Sequence, residues 1–164
     1  MGLDGLSHAH GNEYFRDGHL AASVIAAYYL CRENSLGEHT QDLIKSRIDR
    51  ELRDDAIFLP AADEAADITL LAQLLDTLFK SIVDLREIGH NIIFGAAALK
   101  VFRHCPDTIT PFRVNGICKL IDDFATVQNV ALDADDGVPG IADENALIEF
   151  IFSEYLQTVS LYAG

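Results

Sequence analysis

Apolar residues recur along this chain at the 3.6-residue helical period, and nowhere do they alternate in the way a half-buried strand requires. Leu20, Val24, Ala27, Tyr28 and Cys31 lie on one face of a helix that Asn12 can cap and that ends near Glu33 and Asn34. A second segment, after Gly37, carries Leu43, Ile44, Ile48 and Leu52 on one side and charged residues on the other, which predicts an amphipathic surface helix. Residues 54–66 lose the periodicity, contain Pro60 and read as a linker. A third helix is expected over 67–85, with Leu71, Leu74, Leu75, Leu78, Phe79 and Ile82 as a broad core-facing stripe.

The segment from Asn91 to about His104 is apolar on nearly every side and predicts a central helix stopped by Cys105-Pro106. Thr110-Pro111 marks the next start, with Thr110 as cap, for a helix bearing Val114, Ile117, Cys118, Leu120, Ile121 and Phe124. Residues 128–142 read as a loop, after which Asp143 caps a last amphipathic helix running to the chain end. The expectation is an all-α fold of about six helices in antiparallel hairpins, forming one helical domain over 1–164 or a fragment of a longer chain. Its N-terminal segment, up to about residue 11, is expected to be flexible.

At 164 residues the chain can bury about 70% of its unfolded surface without disulfide or metal support. Three widely spaced cysteines, Cys31, Cys105 and Cys118, with no Cys-x-x-Cys pair, indicate neither a disulfide framework nor a thiolate zinc knuckle. Cys31 and Cys118 sit in apolar runs that should leave their thiols inert. A net charge of −14 argues against nucleic acid and anionic membrane as partners. With no apolar run of membrane length and no secretory leader, the chain reads as cytoplasmic.

Candidate chemistry concentrates in His8, His10, Glu13, Asp17 and His19, joined far along the chain by Glu87 and His90. Imidazole and carboxylate are the ligands that Zn, Fe and Mn accept, and they are also the common general bases. His19 and His90 each follow a glycine and lead small-residue apolar stretches, with Gly18 and Gly89 standing 71 residues apart (89 − 18). His8, His10, His19, Glu87 and His90 are therefore the candidate metal ligands, and His19, His90 and Asp17 the candidate catalytic groups. Glu87 and His90 form the chain's one Glu-x-x-His, which resembles half of the ligand set of ferritin-like di-iron bundles; lacking the second copy, the chain departs from that pattern.

The acidic run at Asp133, Asp135, Asp136 and Glu144 fails the register of a calcium loop, since Gly137 and Val138 occupy the fifth and sixth positions. His39 and His104 read as surface residues. The two Gly-His helix starts resemble, in style, the α/α toroid enzymes, which gather polar inner-helix ends around a central pocket; that resemblance implies half of such an array. Two functions follow as expectations. One is a His/carboxylate-dependent, metal-assisted enzyme or half of one. The other is a non-catalytic helical interaction module, homo-oligomeric through its last helix or paired with the remainder of a longer chain. Both require that the His19 and His90 segments be placed in space.

Overall fold

The computed structural model describes residues 1–11, 13–52, 55–60, 63–81 and 89–124. The chain divides after Val130 into two units, and the description concerns the first. All regular structure among the described residues is helical: α1 (Gly2–His8), α2 (Tyr14–Glu33), α3 (Glu38–Leu52), α4 (Leu71–Ser81), α5 (His90–His104) and α6 (Pro111–Asp123), with 3-10 turns at Ala56–Phe58, Ile68–Leu70 and Pro106–Thr108. The all-α bundle expected from the periodicity is the architecture observed. The helix predicted from Asp143 and the loop before it lie outside the described residues, as does Asn12.

The core centres on α6, which packs against α1, α4 and α5. Its Val114, Ile117 and Leu120 are completely buried, matching the apolar positions read from the sequence. Helix α5 is buried along almost its whole length, from Asn91 to Phe102, as its all-round apolar character requires. Helix α3 contributes no buried residue among those whose side chains are described and takes α2 as its main neighbour, consistent with a surface amphipathic helix.

Four local expectations are corrected. The N-terminal segment is a helix, not a flexible lead: Leu3 and Leu6 of α1 are buried against α2 and α6. Its seven residues span only two turns and include two glycines, too little for a periodic signal or a favourable propensity. Residues 54–66 are not a plain linker, because Ile57 and Phe58 turn inward onto α1. The α4 stripe is narrower than expected: Leu74 and Leu78 are buried, whereas Phe79 is exposed. Helix α6 does start at Pro111, but the Thr110 side chain makes no capping bond; the carboxylate of Glu64 accepts the Phe112 N–H at 2.7 Å instead. A distant acid thereby satisfies an orphan amide and meets the positive end of the helix dipole.

The α1–α6 contact is fixed by charge. Asp4, 5% exposed, accepts from Arg113 Nε at 2.9 Å, and its other oxygen pairs with the Met1 amino group at 2.8 Å. Burial pushes the Asp4 carboxyl up, but the amino group and the Arg113 guanidinium outweigh it and hold the group below its usual 3.8.

Candidate functional site

The two Gly-His pairs do meet, though the glycines serve different ends. Gly18 lies inside α2, where a Cβ would stand 2.5 Å from the ring of Phe94 on α5. Its missing side chain lets Phe94 lie directly on the α2 backbone and draws the helices together. Gly89 is the residue before α5, with φ at +86°, a left-handed conformation that glycine adopts without strain. His19 follows the first glycine and His90 the second, so both imidazoles project at the α2–α5 junction.

Their ring centroids are 4.7 Å apart, with planes inclined by 53°. Phe15 completes a triangle, 4.5 Å from His19 and 4.9 Å from His90. Phe94 supports the pair from the core side, edge-on to His19 at 5.3 Å and 5.8 Å from His90. Phe124 stacks beyond His90 at 6.4 Å and 13°. Phe94 and Phe124 are buried, His90 is half-buried, and His19 and Phe15 face solvent. The site is thus an imidazole pair on an aromatic bed, open on one side.

A hydrogen bond defines the chemistry of one ring. His19 Nδ1 lies 2.6 Å from the Phe15 carbonyl oxygen. A carbonyl only accepts, so Nδ1 carries the proton, and in the neutral ring Nε2 keeps its lone pair for a proton or a metal. Such a carbonyl contact is the usual outer-shell partner of a ligating histidine.

The other sequence candidates are dispersed. His8 belongs to the α1–α6 contact, with Nδ1 2.9 Å from the Asp4 carbonyl and its ring 4.9 Å from Phe112. His10 is exposed in the segment after α1, which Asp123 anchors by accepting the Gly11 N–H at 2.7 Å. Asp17 accepts from Arg16 Nη1 at 2.7 Å. Glu87 lies outside the described residues. Among the described residues, no group of three or more His, Cys, Asp or Glu is placed to hold a metal ion. Cys118 is buried, and that burial pushes its thiol up, as its apolar run implied.

The aromatic bed was not anticipated from the sequence, although a signal for it exists. Phe15 stands four residues before His19, and Phe94 four residues after His90, so each histidine has a phenyl one helical turn away. No described helix is long and apolar enough to cross a membrane. Compared with known protein families, curated proteins and solved structures, the chain matches none.

Proposed function

We propose that the α2–α5 junction is a transition-metal site in which Nε2 of His19 and the imidazole of His90 are ligands to one ion, and that the protein performs metal-assisted chemistry there. The observation that carries this reading is the approach of two imidazoles from distant parts of the chain to 4.7 Å. With metal–nitrogen bonds of about 2.0 Å, two imidazoles on one tetrahedral ion have ring centres roughly 5 Å apart. The observed spacing is therefore near that of a bidentate pair. Glu87, three residues before His90 in sequence, is the carboxylate candidate to join them, and Zn, Fe and Mn are the ions this ligand set accepts. Coordination positions left to solvent would hold water, whose acidity the ion increases. The net charge of −14 disfavours a nucleic-acid partner, and the reading takes the protein as cytoplasmic.

Metal analysis and calorimetry test this reading. The purified chain is expected to take up one equivalent of Zn, Fe or Mn, and His19→Ala and His90→Ala should each weaken uptake at least tenfold without unfolding the protein. Unchanged uptake in both variants would overturn the assignment.

A second reading, a non-catalytic helical interaction module that forms a homo-oligomer, is favoured by a different feature. Among its described residues helix α3 buries none and leaves Leu43 57% exposed, while Tyr28 and Leu30 of the adjoining α2 are also open to solvent. Sedimentation separates the readings: a dimer without a bound ion supports the module, and a monomer with a stoichiometric ion supports the metal site.

A further inference from the structure

A groove of about 330 Å³ runs between α1, α2 and the segment joining α5 to α6, and it shares no residue with the imidazole cluster. Its walls are apolar, formed chiefly by Leu3, Val24, Ile25, Tyr28, Tyr29 and Val101. One end is polar and built around Arg113. The guanidinium donates through Nε to Asp4 at 2.9 Å and through Nη1 to the Thr108 carbonyl at 3.1 Å, and its Nη2 pairs with Asp4 at 2.9 Å. A guanidinium has five N–H donors, so these contacts leave two for a further acceptor. The Asp4 charge is already met twice, by Arg113 and by the Met1 amino group. This end of the groove therefore carries a local positive charge in a chain whose net charge is −14.

We propose that the groove binds a free aliphatic monocarboxylate, with its carboxylate on the two remaining Arg113 donors and its tail along the apolar wall. A volume of about 330 Å³ lies at the lower end of small-ligand sites, which suits a medium-chain acid such as octanoate. A carboxylate suits the planar donor fork of arginine better than a neutral hydroxyl does. An ammonium head would meet like charge, so the groove discriminates by sign as well as by length.

Octanoate is the probe, with octanol and octylammonium as matched controls. The chain has five tyrosines and no tryptophan, and two of the five, Tyr28 and Tyr29, lie in the groove wall, so tyrosine emission carries a signal from the groove. Octanoate is expected to change that emission saturably, octanol to bind at least tenfold more weakly, and octylammonium not to bind. Val24→Trp, which fills the groove from its half-buried wall, should weaken octanoate at least tenfold at an unchanged melting temperature. Cys105 also lines the groove and is exposed, so octanoate should slow its alkylation. The alkylation readout uses the native chain and needs no variant to fold. Equal binding of octanol and octanoate, or unprotected Cys105 at saturating octanoate, would overturn the proposal. So would failure of octanoate to bind together with a change in oligomeric state in Val24→Trp, which would assign the groove to a second copy of the chain.

Discussion

Replacing Asp4 by Asn removes one charge from the α1–α6 contact while keeping the side chain's shape. The wild-type carboxylate is almost wholly buried and is held by Arg113 on one oxygen and the Met1 amino group on the other. Loss of a fully buried ion pair costs about 3–5 kcal/mol. Arg113 keeps 21% of its side-chain surface exposed and so recovers some hydration when its partner is neutral. A destabilisation of about 2–3 kcal/mol at pH 7 is therefore expected, in the range of hydrogen bonds to charged groups. The pH dependence follows from the direction of the Asp4 shift. Its folded-state value is depressed, so the stabilisation is fully present above the ordinary value of 3.8 and is lost as pH falls through the folded value. Urea unfolding of both proteins at pH 7 and at pH 2 checks this: the difference should be large at the first pH and smaller at the second. Equal stability at pH 7, or a gap undiminished at pH 2, would refute the reasoning.

Three further outcomes are expected. Phe94→Ala removes a ring 1% exposed beneath both imidazoles and should cost about 3–5 kcal/mol in chemical denaturation. Gly18→Ala sets about 1 kcal/mol of improved helix propensity against an overpacking cost of about 1–3 kcal/mol where the new Cβ meets Phe94. The balance should be a net loss in thermal unfolding, and a full propensity gain would contradict the close α2–α5 approach. Glu64→Ala frees the Phe112 amide and should cost about 1 kcal/mol, as loss of a helix cap does, whereas Thr110→Val should cost less because Thr110 makes no capping bond.

What the sequence made legible follows from the length of each signal. Helices α2, α3, α5 and α6 have at least 13 residues, enough turns for the apolar period to stand out. Helix α1 has seven and was invisible for that reason, yet its Leu6 is fully buried. Glu64 as the partner of α6 could not be read either, because its reach to Phe112 spans 48 residues and depends on the fold of the intervening chain. The shared Gly-His dipeptide marked two histidines that do meet, but not because the segments are repeats. Gly18 is needed for close packing inside a helix and Gly89 for a left-handed turn before one, so the match is not a structural repeat. His8 and His10 stood near His19 in sequence, but α1 packs against α6 and carries His8 to Phe112.

The imidazole pair is tested most directly by nitrogen-15 spectra of the histidine side chains during a zinc titration. The expected result is that Nε2 of His19 and one ring nitrogen of His90 shift together and saturate at one equivalent, while Nδ1 of His19 keeps its proton on the Phe15 carbonyl. Zinc that perturbs only one of these rings, or that perturbs His8 and His10 instead, would contradict it.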